Sequence, residues 1–204
     1  MRTLVSLASL AIAAGSSLAQ GASFGITGGV SLAAPVYSTG GSSGWERGGW
    51  TLGVSIQDHA LTEALALRFD LIGSALDNVA LPGSLALSPA SYHTAGLSAD
   101  AVWNVTPGSR TAAPYFLVGA GWYAVRTGWK VGCNPNDPGG NCGQAWSADR
   151  STTIGTLGYN AGLGLRVSRF FVEARAMYLS DVPTQTNARA THLLTVPVTA
   201  GFWF

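Results

Sequence analysis

The chain has 204 residues, of which 47% are hydrophobic and only 10% carry a charge. Soluble domains carry about 25% charged residues, so this composition is unusual, while the length fits one domain. The formal net charge is +1, and the charges form neither a basic patch nor an acidic tail. We therefore expect no nucleic acid among the partners of this protein.

Residues 1–19 have the three-part layout of a secretory signal. Arg2 supplies an early positive charge, an apolar run extends from Leu4 to Ala14, and the segment ends on Ser17, Leu18 and Ala19. A helical membrane anchor is the alternative, but the run is shorter than the roughly 20 residues that a helical span needs. The sequence predicts export with cleavage after Ala19, which leaves one domain over residues 20–204.

The rest of the chain contains eight segments in which apolar residues alternate with small or polar ones, the pattern of a β-strand. Seven of them have one clearly apolar face. In chain order these faces are Phe24, Ile26, Val30 and Leu32; Leu52, Val54 and Ile56; Leu65, Leu67, Phe69 and Leu71; Leu97, Ala99, Ala101 and Trp103; Leu157, Tyr159, Ala161, Leu163, Leu165 and Val167; Phe170, Val172, Ala174, Ala176 and Tyr178; and Leu194, Val196, Val198, Ala200, Phe202 and Phe204. The fifth segment, residues 114–126, is apolar on both faces, so its facing stays open.

The connections between these strands alternate in length. Segments rich in Gly, Ser, Pro and Asn follow the first, third, fifth and seventh strands, at about 33–49, 75–91, 127–152 and 180–190. Shorter links follow the second, fourth and sixth strands. Long loops at one end and tight turns at the other are typical of an up-and-down meander. On this reading Tyr37, Trp45, Trp129, Lys130 and Trp146 lie in the long loops.

Eight alternating strands fit either a soluble lipocalin-like barrel or a membrane barrel, which has its apolar face outside. The less apolar face carries few charges among Gly, Ala, Ser and Thr, and the chain contains a single lysine, Lys130. A soluble exterior would be far more charged, so the sequence predicts an all-β, eight-stranded antiparallel transmembrane barrel with a polar, plugged lumen. Five charged side chains are predicted to meet in one layer inside it: Arg68, Asp70, Asp100, Glu173 and Arg175.

An eight-stranded barrel has interior space only for side chains, which disfavours an open pore. Buried charges are costly unless they are paired. The five charges are therefore interpreted as a structural salt-bridge network that plugs the lumen, with a gated ion or proton path as the alternative.

In its signal, its eight strands, the PYFLVGAGWY and VEARAMYL segments and its terminal Phe, the chain resembles small outer-membrane barrel proteins of the OmpA transmembrane-domain, opacity-protein and OmpW-like group. The resemblance implies a cell outer-membrane location in contact with outer-membrane lipid. It also implies that the barrel-insertion machinery and periplasmic chaperones act during biogenesis. In that family alternate apolar residues ending in Phe are the insertion signal, which corresponds here to Val196, Val198, Ala200, Phe202 and Phe204. We expect a monomer.

Other residues offer limited chemistry. Cys133 and Cys142 lie close together among turn-forming residues of an exported chain, which predicts a disulfide. The neighbouring Asn and Asp oxygens match no defined calcium loop, so no metal and no cofactor are expected. His93 and His192 lie near the outer rim and His59 in a short turn. Some barrels like these modify lipid A with a rim His, but no Ser-His-acid spacing stands out here.

The function predicted from the sequence is a non-enzymatic structural or surface-interaction role through long extracellular loops. The alternatives are a narrow channel or small-solute conduit and, less favoured, a lipid A-modifying enzyme.

Overall fold

The computed structural model describes residues 22–36, 46–58, 62, 64–79, 90–107, 109, 112–131, 148–182 and 191–204. Several predictions from the sequence lie outside these residues. They concern the signal segment 1–19, the Cys133–Cys142 disulfide, His59, and the loop aromatic residues Tyr37, Trp45 and Trp146.

The described residues form eight strands that close into one antiparallel barrel in the order β1 to β8. The strands are β1 (Ala22–Val36), β2 (Glu46–Asp58), β3 (Leu65–Val79), β4 (Ala90–Asn104), β5 (Ala113–Val131), β6 (Ala148–Val167), β7 (Phe170–Val182) and β8 (Thr191–Trp203). Each strand pairs with its neighbours in sequence. The predicted fold class is therefore confirmed. Among the described residues, no helix is long and apolar enough to cross a membrane.

The barrel closes where β8 returns to β1. The register runs from Gly25 opposite Trp203 to Val36 opposite His192, and the Phe204 backbone N–H donates to the Phe24 carbonyl over 2.8 Å. Closure leaves no free sheet edge, which is the usual liability of an open sheet.

Pro197 lies within β8, opposite Ser31 of β1. On the other side of β8, the ladder with β7 is interrupted near Pro197. Ala174 pairs with Val198 and Met177 with Thr195, but the two residues between them on each strand do not pair. Proline has no N–H to donate to a ladder. The interruption is local, because the register is the same on both sides of it.

The two faces of the strands follow the predicted alternation. Outward apolar residues on the seven assigned strands are largely exposed, while the alternate positions point into the barrel. The structure also settles the facing of β5: Phe116, Val118 and Trp122 point outward, whereas Tyr115 and Tyr123 are buried inside.

The strands extend further toward the long connections than the alternation indicates. Trp129 and Lys130 were predicted in a loop, but their backbones belong to β5 and pair with Arg150 and Asp149 of β6. A strand ladder needs only backbone N–H and C=O groups, so it continues where the apolar alternation has already ended. That part of the loop prediction is wrong.

Candidate functional site

The five charged residues predicted to meet in the lumen lie together in one buried layer. Arg68 and Asp70 are on β3, Asp100 is on the neighbouring β4, and Glu173 and Arg175 are on β7. Period-two alternation places all five on inward positions. Because β7 is not adjacent to β3 or β4 in the barrel, the contacts between them cross the lumen.

Arg68 and Glu173 form the bidentate contact across the barrel. The Arg68 Nη1 donates to Glu173 Oε2 over 2.8 Å, and its Nη2 donates to Oε1 over 3.0 Å. The remaining Arg68 nitrogen, Nε, donates to Asp70 Oδ2 over 3.1 Å. Two parallel charged hydrogen bonds of this kind fix both distance and orientation. This pair therefore ties β3 to β7 through the interior.

Arg175 contacts all three carboxylates of the layer. Its Nη1 donates to Asp100 Oδ2 over 3.0 Å, and its Nη2 donates to Asp70 Oδ2 and to Glu173 Oε1, each over 2.7 Å. Its Nε also donates to Glu173 Oε1 over 3.0 Å. Arg175 is therefore the centre of the network, and every acidic group in it depends on this guanidinium.

Three neutral side chains complete the network, and the sequence did not single out any of them. One is Ser98, whose hydroxyl donates to Asp100 Oδ2 over 3.3 Å. The Tyr115 hydroxyl donates to Glu173 Oε2 over 2.8 Å, and Asn160 Nδ2 donates to Asp100 Oδ1 over 2.9 Å. The alternation in β6 predicts that the Asn160 side chain points into the barrel. The direction of the Tyr115 side chain could not be predicted in this way, because β5 is apolar on both faces.

The layer contains two guanidinium groups and three carboxylates, which gives it a formal charge of −1. Within the described part of the chain, Asp70 Oδ1 is buried without a hydrogen-bond partner. A cavity of about 20 Å³ lies beside the network, lined in part by Arg68, Asp70, Glu173 and Arg175. A cavity of that size holds about one water molecule. The side chains thus fill the lumen at this level.

Glycines on the adjacent strands make room for the network: Gly119 is paired with Asp100, and Gly164 with Tyr115. A Cβ built on Gly119 would overlap the Asp100 carboxylate, and one built on Gly164 would overlap the Tyr115 ring. Small residues at these positions are therefore a packing requirement of the neighbouring side chains. The sequence identified Gly164 only as a small residue on the inward face of its strand, and it left the facing of Gly119 open.

Apolar clusters lie on both sides of the ionic layer, so the lumen is polar only in part. Toward the long connections the cluster consists of Leu76, Tyr92, Tyr123, Val125, Met177, Leu179, Val182 and Leu193. Toward the short turns it consists of Ala66, Val102, Tyr115 and Leu117. The sequence missed these clusters because inward apolar residues on β5, β7 and β8 do not differ in type from outward ones.

The histidines considered for acyl chemistry do not share a site. His93 faces outward on β4, whereas His192 lies on β8 with its ring stacked on Tyr178 at a centroid distance of 5.3 Å. β4 and β8 lie on opposite sides of the closed barrel. Within the described ranges, no group of three or more metal-ligating side chains occurs.

The residues assigned to the insertion signal line the outside of β8. Phe202 contacts Phe170 at 5.0 Å and Phe204 at 5.1 Å between ring centroids, and Phe204 lies 6.0 Å from Phe24. These contacts join the ends of β1, β7 and β8 at the short-turn end. Trp203 points the opposite way, into the barrel, and packs on Phe171 at 5.2 Å.

Two solved structures of other proteins have a similar architecture. Neisserial surface protein A aligns with a TM-score of 0.55 at 18% identity, covering 91% of this chain and 100% of its own. The Yersinia pestis attachment invasion locus protein Ail aligns with a TM-score of 0.52 at 14% identity, with the same coverage. The chain has the fold of small outer-membrane β-barrels. No protein-family model and no curated protein sequence matches it, so the likeness concerns the fold.

Proposed function

We propose that this protein is an exported barrel of the cell outer membrane, solvated by lipid, with a structural or surface-interaction role. The observation that carries the proposal is its apolar exterior. Large apolar side chains such as Leu97, Val118 and Leu163 are about 60% exposed, at 63%, 62% and 60%. Contiguous apolar patches of a soluble monomer rarely exceed a few hundred Å². An apolar band around the entire barrel is what a lipid environment requires.

The interior supports the same orientation. Arg68, Asp70 and Asp100 are at most 1% exposed inside the barrel. A soluble barrel places its charges on the outside, whereas a transmembrane barrel places polar side chains in its lumen. In this proposal outer-membrane lipid is the main partner of the folded monomer. The insertion machinery and periplasmic chaperones are its partners during biogenesis, and the exterior of β8, Val196 to Phe204, carries the insertion signal.

The surface role rests on topology and on two relatives in fold. The connections between 36 and 46, 79 and 90, 131 and 148, and 182 and 191 all join strands at one end of the barrel. The two similar proteins are named as an attachment invasion locus protein and a surface protein. We propose that these four connections face the cell exterior and make its contacts, with Cys133 and Cys142 bonded in the longest one.

The filled lumen argues against the alternative of a narrow channel or small-solute conduit. The ionic layer leaves room for about one water molecule, and an apolar cluster lies above it. The separation of His93 from His192 gives no support to a lipid A-modifying enzyme. We accordingly assign no catalytic role to either histidine.

Membrane integration and orientation are tested separately. Integration predicts that the unheated protein migrates differently from the boiled protein on a denaturing gel and stays in the membrane pellet after carbonate extraction. Orientation is tested with an epitope tag in the 132–147 connection and a matched tag in the 105–112 turn. Intact cells should bind antibody only with the first tag. A detergent-free soluble monomer would overturn the location, and labelling of the 105–112 tag alone would overturn the orientation.

A further inference from the structure

A second cavity lies at the short-turn end of the barrel, away from the proposed extracellular connections. It is a recess half open to solvent, because Ser168, Arg169 and Phe204 in its lining are exposed. Its volume is about 260 Å³, enough for several water molecules. Its lining consists of two arginines, three polar side chains and two aromatic ones: Arg166, Arg169, Ser23, Gln57, Ser168, Trp203 and Phe204. The cavity is distinct from the ionic layer, with which it shares no lining residue.

The two arginines of this cavity lack the acidic partners that the lumen arginines have. Arg68 and Arg175 together contact three carboxylates. By contrast, Arg166 and Arg169 form no ion pair within the described residues, although both line one cavity. Two like charges in one cavity repel each other, and a bound anion would relieve that repulsion. The arrangement therefore favours a negatively charged ligand.

The backbone holds both arginines in defined positions. Arg166 is in β6, paired with Ala113 on one side and Phe171 on the other. Arg169 is in the two-residue turn to β7, where Ser168 has a φ of 56°, and a positive φ is typical of such tight hairpins. The Arg169 carbonyl accepts a hydrogen bond from the Trp203 backbone N–H over 2.8 Å. The backbone of the site is therefore fixed before a ligand binds, whereas the exposed Arg169 side chain loses conformational entropy when it binds one.

The chemistry of the lining indicates which anion fits. A guanidinium binds carboxylate or phosphate through parallel N–H donors. A phosphate group has enough oxygens for two guanidiniums at once and carries up to two negative charges near neutral pH, whereas a carboxylate has two oxygens and one charge. The Ser23 and Ser168 hydroxyls supply further donors. We propose that this cavity binds a phosphate group, either free phosphate or that of a phospholipid headgroup.

The site does not depend on the proposed surface role, because it lies at the other end of the barrel. It is tested with the full chain folded in octyl glucoside, a detergent that contains no phosphate. Inorganic phosphate is titrated in while the backbone amide of Arg169 and the indole N–H of Trp203 are followed by NMR. Chloride at equal ionic strength is the control for screening. Saturable shifts of both signals with phosphate and not with chloride are expected.

Variants connect the shifts to the arginines. R166Q and R169Q should each weaken phosphate binding at least tenfold. The affinity of R166K should lie between those of these variants and the original chain, because lysine keeps the charge but lacks the parallel N–H donors of a guanidinium. R126Q is the matched control, since Arg126 is exposed on the outer face of β5 near the opposite end. Heat-modified gel migration checks that each variant is folded. Binding unchanged in folded R166Q and R169Q, or no saturable shift at all, overturns the proposal.

The two sources of phosphate are separated by repeating the titration in phospholipid nanodiscs. If a headgroup occupies the cavity, the apparent affinity for inorganic phosphate should fall in nanodiscs relative to octyl glucoside, and R169Q should remove the difference. If the ligand is soluble phosphate, the affinity should be the same in both. Either result supports a phosphate site and identifies its source.

Discussion

Replacing Arg175 by Gln should destabilise the barrel far more than replacing Asp70 by Asn. Arg175 donates to all three carboxylates of the ionic layer. Its loss would leave three buried carboxylates with one guanidinium and change the formal charge of the layer from −1 to −2. Removing one partner of a buried ion pair costs about 3–5 kcal/mol. Because Arg175 serves three partners, we expect R175Q near the upper end of that range, about 5 kcal/mol.

Asp70 is the matched substitution because only one of its oxygens is used. Its Oδ2 accepts from both arginines, whereas Oδ1 has no partner among the described residues. In D70N the amide carbonyl can take the place of Oδ2 and the NH₂ that of Oδ1, while the layer becomes formally neutral. Since both acceptor contacts remain, weakened by the loss of charge, we expect a cost of only about 1 kcal/mol, the net value of a typical hydrogen bond.

Equilibrium urea unfolding from lipid vesicles, followed by tryptophan fluorescence, measures this difference. Urea m-values are about 1–3 kcal/mol per M, so R175Q should lower the midpoint by more than about 1 M. D70N should lower it by well under half as much. R126Q should leave it unchanged, because Arg126 is exposed and makes only a 3.3 Å contact with Ser151. Equal destabilisation by D70N and R175Q would refute the argument from excess negative charge.

Three further predictions concern packing and the lipid-facing surface. Y115F should cost about 1.5–3 kcal/mol, since it removes a hydrogen bond to a charged acceptor; a loss below 0.5 kcal/mol in the same urea assay would contradict it. G164A should destabilise by displacing the Tyr115 ring, and its effect should be non-additive with Y115F in a double-mutant cycle. L163R should cost about 2–4 kcal/mol near the bilayer midplane, while V167R at the end of β6 should cost about 0–1, and equal costs would argue against a membrane-spanning band.

The fold was predictable from the sequence because each residue of a barrel strand points either into the lumen or to the outside. Where small or charged residues alternate with large apolar ones, as around Arg68 or Glu173, the residue types indicate which side chains point inward. Around Tyr115 and Tyr123 both faces are apolar, so only the pairing with β4 and β6 settles the facing.

The candidate site was predictable in part for the same reason. Five charges on inward positions of three strands could be expected at one level, because strand lengths and turns set approximate heights. The hydrogen-bond partner of each charged side chain could not be predicted in this way. That Arg175 reaches both Asp100 and Glu173 depends on register and on the space left by Gly119 and Gly164, which are properties of the closed barrel.

Seven of the eight seams of this barrel join strands that are neighbours in sequence, and the eighth joins the two ends of the folded chain. Ile26 cannot pair with Phe202 until the residues between them have been synthesised. Contacts of such sequence separation carry the greatest loop-closure entropy and form slowly. Until that last seam forms, β1 and β8 both present unpaired edges. The interval before closure is therefore when this chain is most exposed to aggregation through these two edges.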